Sequence, residues 1–429
     1  MKILIKNATL ISMSENREQI EKNIDILIEE DKILKIGNNL SERDVKVIDA
    51  TGKVVMPGLI NTHAHVPMSI FRETLDGYSL QDWLTQKIWP MEDKLTPEDI
   101  YYASYLSFVE MIETGCTTIN DMYFTTEEII KAMLETGVRL QTTRTLMSAG
   151  GDEGAEQRLN EFIKLLKEYR NKDSKLTFNA GIHGLYTTNR KWTEKFLEEA
   201  RKENLPVHMH YCENTKEVSD IQEAYNMKPV EVIKELFEGI HVLLAHGVKI
   251  TEEDMKILKN MDVSISHCPV SNLKLGCGIA KVSEMLNSGI NVALGTDGQG
   301  SGSNLDLFET MKFTALLQKG QKEDAKLMSA YDTLKMATVN GAKALCLEKE
   351  IGSIEEGKQA DLIILNLDNV ETKPENDLIS QIVYNTKGRN VETTIVAGKI
   401  LMENRELKLN LSKEELYKKC DEIISRIAK

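Results

Sequence analysis

The spacing of apolar residues changes twice along this chain. From residue 1 to about 56 they fall in short runs, Ile3-Leu4-Ile5, Ile24-Asp25-Ile26-Leu27-Ile28 and Lys32-Ile33-Leu34-Lys35-Ile36. Such patterns predict strands. Glu29-Glu30-Asp31 reads as the hairpin turn between the last two, and 45–52 closes an all-β piece. From about 57 to 350, apolar strand-like runs alternate with helical stretches. Eight such runs occur, at 59–66, 117–123, 139–146, 176–184, 206–213, 241–248, 263–270 and 291–298. Alternation of this kind marks βα units around a parallel sheet.

The helices carry their own start and stop signals. Thr96-Pro97-Glu98-Asp99 supplies an N-cap, a proline at the first helical position and an acidic first turn, and Gly115 ends that helix. Thr126-Glu127-Glu128 opens the next, and Gly137 closes it. Eight βα units in this length predict an α/β protein with a (β/α)8, TIM-like barrel. An open doubly wound sheet is the competing layout. No Gly-x-Gly-x-x-Gly loop follows the early strands, which disfavours a dinucleotide-binding version of it. After about 350 the strands return, at 360–365 and 391–399. They are expected to pair with the N-terminal ones, so that 1–56 and 351–429 form one small β-sandwich domain beside a 57–350 barrel. Residues 412–428, with Leu416, Ile423, Ile424 and Ile427, predict a final amphipathic helix.

Composition narrows the function. With 429 residues, 41% hydrophobic and 28% charged, the chain resembles an ordinary soluble globular protein. A net charge of −14 without a Lys/Arg block argues against nucleic acid as partner. No apolar run is long enough to span a bilayer, and the N-terminus lacks a signal-peptide pattern, so a cytoplasmic protein is expected. The six cysteines are scattered, with no C-x-x-C pair, and read as reduced thiols. Assembly into a homo-oligomer is compatible with the sequence and not specified by it.

Chemistry in a barrel of this kind collects at the C-terminal ends of the strands. His63 and His65 are two apart on a strand and share a face. His183, His208, His210, Glu213, His246, His267, Cys268 and Asp297 fall at the ends of later strands. Of the eight histidines only His241 lies at a strand start. A pair of polar residues on a solvated strand would explain His63 and His65 alone, but scattered core histidines would not cluster in this way. Two or three imidazoles with one carboxylate suit Zn²⁺, and Fe²⁺ or Mn²⁺ less often. No strand end offers a lysine to bridge two metals, so one ion per subunit is expected. Such an ion lowers the pKa of a bound water towards about 7. Expelling an amine also needs a proton donor, and Glu213, three residues past His210, stands where it could reach over the ion. The plain alternative for Glu213 is a solvated loop acid.

His63-Ala64-His65, His210 with Glu213, His246 and the Asp297 of Gly-Thr-Asp-Gly resemble the mononuclear deaminase branch of the amidohydrolase superfamily. Within it the chain is similar to the 5′-methylthioadenosine/S-adenosylhomocysteine deaminases over nearly its whole length. Supporting stretches are 89–96, 120–124, 271–276 and 354–362. The resemblance implies that His63, His65, His210 and Asp297 bind the metal. It implies that Asp297 takes a proton from the attacking water, that Glu213 protonates purine N1, and that His246 polarises the water or stabilises the adduct. Glu92 would accept from the ribose hydroxyls, and His183 would contact purine or ribose. Arg144 and Arg158 would hold the carboxylate of a homocysteine tail, a task suited to the planar guanidinium fork.

For Arg158, on an expected helix, a solvated face is nearly as good a reading. His208 shares strand parity with His210. His210 is preferred as ligand because it keeps the His-x-x-Glu spacing, and His208 reads as inward barrel filling. His267 and Cys268 read as core or pocket wall. The loop 299–304 is more glycine-rich than is usual for the family, which leaves the pocket edge open. Rival readings are a deaminase of guanine or cytosine, a triazine-type hydrolase, another C–N amidohydrolase, and a barrel that serves only as a scaffold.

Overall fold

In the computed structural model, which describes residues 2–73 and 76–428, both expected halves of the architecture are present. The N-terminal strands are β1 (Lys2–Leu10), β2 (Glu21–Glu29), β3 (Lys32–Gly37), β4 (Lys46–Asp49) and β5 (Val54–Pro57). The barrel strands are β6 (Leu59–Ala64), β7 (Cys116–Asp121), β8 (Arg139–Thr142), β9 (Leu176–Phe178), β10 (Ala180–Gly181), β11 (Val207–Tyr211), β12 (Val242–His246), β13 (Val263–His267) and β14 (Asn291–Leu294). The chain then returns as β15 (Leu362–Leu365), β16 (Val391–Val396), β17 (Lys399–Glu403) and β18 (Glu406–Leu407).

The small β domain is built as one nine-stranded sheet, ordered β18-β17-β16-β15-β5-β1-β2-β3 with β4 on β1. Register shifts between β1 and β2 and between β15 and β16 let it bend. Its buried face packs Ile3, Ile5, Ile26, Ile28, Leu362 and Ile364. Each such side chain, fully removed from water, contributes about 2 kcal/mol.

The apolar run 54–60 is not one strand. β5 lies between β1 and β15 in the small sheet, whereas β6 pairs with β7 in the barrel. The break falls at Gly58, where a Cβ would stand 2.2 Å from the Thr117 side chain. Only a glycine lets the chain cross there.

The barrel strands are parallel, in sheets β6-β7-β8-β9 and β10-β11-β12-β13-β14. β9 and β10 are one expected run interrupted at Asn179, whose N–H donates to Thr142 O at 3.1 Å. The other seam is crossed by Asp297 N–H to His63 O at 3.0 Å and Thr62 Oγ1 to Leu294 O at 2.8 Å. The paired strands are shorter than the apolar runs that predicted them. The leftover residues, among them His65, His183, Glu213 and Asp297, stand just past the C-terminal ends.

The helix Pro97–Thr114 begins with a Thr96/Asp99 capping box and ends at Gly115. The terminal helix Lys413–Ile427 buries Leu416, Cys420, Ile423 and Ile427 and is tied to the barrel by Arg426 on Asp99. The buried Arg139 and Asp361 join barrel to small sheet through two hydrogen bonds, of 2.7 and 3.1 Å. Among the described residues no helix is long and apolar enough to cross a membrane.

Candidate metal centre and active-site cleft

At the C-terminal ends of the barrel strands, imidazole nitrogens converge. His63 Nε2 lies 3.6 Å and His65 Nε2 3.2 Å from Asp297 Oδ1, and His210 Nε2 lies 3.3 Å from His65 Nε2. Two groups, His63/His65/Asp297 and His63/His210/His246, each keep their ligand atoms within 4.8 Å of one another. The far nitrogens are occupied. His65 Nδ1–H donates to Met122 O at 2.6 Å, and His210 Nδ1–H to His183 O at 2.7 Å. A carbonyl can only accept, so each neutral ring presents a lone pair at Nε2. His63 Nε2 and His246 Nε2 are buried without a hydrogen-bond partner. An unmet buried polar atom costs about 1–3 kcal/mol. Several imidazole nitrogens, two of them unpartnered, converging on one carboxylate oxygen fit a divalent ion of the zinc type.

Asp297 sits in the left-handed region, at φ 64°, as the chain leaves β14. Its Oδ2 accepts from Ser271 Oγ at 2.6 Å and Ser301 Oγ at 2.8 Å, and its Oδ1 from Gly298 N at 2.8 Å. Burial would raise its pKa, but the neighbouring His65 and His63 outweigh burial and hold it well below the ordinary value. The converse holds at His65, where Asp297 overcomes burial and lifts the pKa to about 9. His208 stands behind His63, its Nε2 2.9 Å from His63 Nδ1, while Asn120 donates to His208 Nδ1 at 2.6 Å. It fills the barrel interior, as the sequence suggested, and also fixes the His63 ring.

Glu213 is buried beside this cluster. Burial is the largest influence on its pKa, which is raised. Its Oε1 lies 3.9 Å from His246 Nδ1 and accepts from Cys277 Sγ at 3.7 Å. His246, at φ 73°, donates through Nδ1 to Asn272 Oδ1 at 2.9 Å.

The cluster opens into a concave cleft. His65, Glu92, His183, His210, Glu213, His246 and Asp297 line it, and His63 lies beneath. Trp83, Leu84, Trp89 and Phe124 form an apolar wall. Glu92 is not the exposed acid a helix terminus would suggest. Burial raises its pKa to about 7, and Tyr123 O–H donates to its Oε1 at 2.6 Å. The glycine-rich loop finds its reason here, because a Cβ at Gly300 would lie 3.0 Å from Trp83. His267 and Cys268 are buried but do not line the cleft.

The two arginines are not brought in. Arg144 Nε and Nη2 both donate to Glu161 Oε2 at 2.8 Å, and Arg158 Nη1 donates to Ala149 O at 2.6 Å. Neither lines the cleft. The structure also adds residues that sequence reasoning did not single out as functional. Ser271, Asn272, Ser301, Tyr123 and Cys277 touch acids or imidazoles of the cleft. Ser271 and Asn272 fall within the 271–276 stretch noted in the sequence, but nothing in that stretch reveals which side chains they meet.

Fold and site together define a metal-dependent hydrolase, and residues 54–401 match the sequence profile of the Amidohydrolase family. The chain belongs to that family. It is 43% identical over 411 residues to the 5-methylthioadenosine/S-adenosylhomocysteine deaminase of Thermoanaerobacter pseudethanolicus, covering 95% of each chain. It is 40% identical to the 5′-deoxyadenosine deaminase of Methanobrevibacter smithii, covering 99% of this chain and 98% of that one. Among solved structures it resembles a zinc-bound adenosine deaminase from Xanthomonas campestris, with a TM-score of 0.93, 29% identity, and coverage of 99% and 98%. It also resembles a zinc complex of atrazine chlorohydrolase from Arthrobacter aurescens, with a TM-score of 0.91, 25% identity, and coverage of 98% and 100%.

Proposed function

We propose that the chain hydrolyses the 6-amino group of adenosine-type nucleosides, including S-adenosylhomocysteine, 5′-methylthioadenosine and 5′-deoxyadenosine, giving the inosine-type product and ammonia. The observation that carries the reading is the buried Glu213, its pKa raised chiefly by burial, set against converging, unpartnered imidazole nitrogens in one cleft. His63, His65, His210 and Asp297 would hold one divalent ion, with Zn²⁺ expected and Fe²⁺ or Mn²⁺ as alternatives. Such an ion acts as a Lewis acid that makes water a nucleophile near neutral pH.

The side chains then do the proton work. Glu213, whose proton affinity burial raises, donates to purine N1 and makes C6 electrophilic. Asp297, kept ionised, accepts a proton from the attacking water. His246, held through Nδ1 by Asn272 and with its pKa raised by Glu213 and Asp297 against burial, donates from a protonated Nε2 to the charge developing on the C6 oxygen. Asp297 passes its proton to the amine, the C6 hydroxyl proton restores Glu213, and ammonia leaves. Glu92 accepts from the ribose hydroxyls while the apolar wall excludes water. His183 contacts the nucleoside from the opposite rim. Arg144 and Arg158 read a tail carboxylate, for which Arg144 must exchange or share its Glu161 partner. The six cysteines, all unpaired, support a reducing, cytoplasmic setting.

The test is a substrate panel on zinc-loaded protein, followed by the ultraviolet change from adenine to hypoxanthine. Turnover of the three adenosine derivatives and none of guanine, cytosine or a triazine is expected. Turnover of one of the latter alone would move the protein to another branch of the family.

A further inference from the structure

The segment that presents Glu213 is strained. Cys212, the residue before it, holds φ at 50°, a conformation that costs a non-glycine residue about 1–3 kcal/mol. Something must pin it. The carbonyl side is tied to the neighbouring strand end by Gly247 N to Tyr211 O at 3.0 Å and Lys249 N to Cys212 O at 2.8 Å. The amide side is tied by one carboxylate. Glu217 Oε1 accepts from Cys212 N at 2.8 Å, and Glu217 Oε2 from Glu213 N at 2.7 Å.

This use of a glutamate is unusual in its reach. Glu217 is the third residue of the helix Thr215–Tyr225, whose N-cap is Asn214. In a capping box the acid at that position returns to the amide of its own N-cap. Here it passes over Asn214 and takes the two amides before it. Glu217 is 3% exposed and does not line the cleft. Burial and the nearby Glu213 raise its pKa to about 7, and the two amide bonds work against both.

Building on the deaminase reading, we infer that Glu217 is a positioning residue, a carboxylate clamp that holds the Cys212–Glu213 turn so that the Glu213 carboxyl faces the substrate. It does not touch the reacting atoms. Without the clamp the turn relaxes out of the left-handed region and Glu213 swings away from purine N1.

Glu217→Gln keeps the size but offers one acceptor for two amides, and Glu217→Ala offers none. Amide hydrogen exchange of a peptide spanning 211–214 should quicken about tenfold or more in both variants, with the strands β11 and β12 unchanged. Zinc content should stay at the wild-type level and KM should stay within about twofold. kcat should fall about tenfold in Glu217→Gln and further in Glu217→Ala, within the range general-acid catalysis supplies. Unchanged exchange at 211–214 overturns the clamp whatever the substrate proves to be. Faster exchange with unaltered kcat, or a kcat loss that merely tracks lost zinc or lost thermal stability, overturns its role in positioning Glu213. A wild-type protein that releases no ammonia refutes the functional reading instead, and the exchange result still decides the clamp.

Discussion

Two polar clusters are buried at opposite ends of the barrel, and they are built to opposite rules. At the start of β8, Arg139 and Asp361 face each other through paired hydrogen bonds, and Ala397 N adds a third contact to Asp361 at 2.7 Å. The charges are matched and the geometry is bidentate. At the other end, His63 and His246 keep a ring nitrogen with no partner at all, while every second nitrogen around the centre is fixed by a carbonyl, an amide or another ring. The lower cluster joins two parts of the molecule. The upper one leaves unpartnered ring nitrogens and a buried carboxyl of raised pKa facing one space, which stabilises nothing until a ligand arrives. Burial is common to both clusters; what differs between them is whether the buried atoms have partners.

Substitutions should separate the two ends. The largest effect is expected from Glu213→Gln, with kcat falling about 10²–10⁴-fold while zinc content and the denaturation midpoint stay at wild-type values. Retained activity would remove the proton-donor role. Asp361→Asn should do the reverse. Leaving the buried Arg139 without its counter-charge costs about 3–5 kcal/mol by denaturant unfolding, with kcat per folded molecule unchanged. Replacing both partners by apolar residues should recover much of that loss, and failure to recover would show that the pair does more than join the sheets.

Arg144→Ala should lower kcat/KM for S-adenosylhomocysteine about 10–100-fold, the worth of a charged hydrogen bond, and spare 5′-deoxyadenosine. Equal losses would show that Arg144 serves Glu161 and not the substrate tail. The smallest effect is on pH. Glu92 holds its proton below a pKa of about 7 and must be ionised to accept from two hydroxyls, so KM for nucleosides should rise as pH falls through about 7. Free adenine, which has no ribose, should show no such rise.

Much of the upper end was legible in the sequence, for a local reason. His63 and His65 are two apart on one strand, and His183, His210, Glu213, His246 and Asp297 end apolar runs, so strand periodicity gathers them at one end, whereas Glu92 and Arg158 came from the family resemblance. Seven of the ten residues singled out line the cleft and His63 lies just below it. What was not legible depends on contacts across long separations. Ser271 and Ser301 meet Asp297 over 26 and 4 residues, Cys277 meets Glu213 over 64, and Arg139 meets Asp361 over 222. Arg144 was read as a free cation because nothing in a helical stretch announces that Glu161 would turn towards it. Val54–Pro57 and the strand that begins at Leu59 are continuous in hydrophobicity, which does not show which of two sheets a residue joins. Only the crowding at Gly58 by Thr117 reveals the division.

The central claim is that His63, His65, His210 and Asp297 hold one ion and that this ion governs the reaction. The most direct measurement is a zinc titration of chelator-stripped protein, in which bound metal and ammonia released from S-adenosylhomocysteine and 5′-deoxyadenosine are recorded on the same samples. The account predicts no release from stripped protein and a rate that climbs in proportion to bound zinc until one ion per chain is reached. Full release from metal-free protein, or an activity that appears only with a second ion, would contradict it.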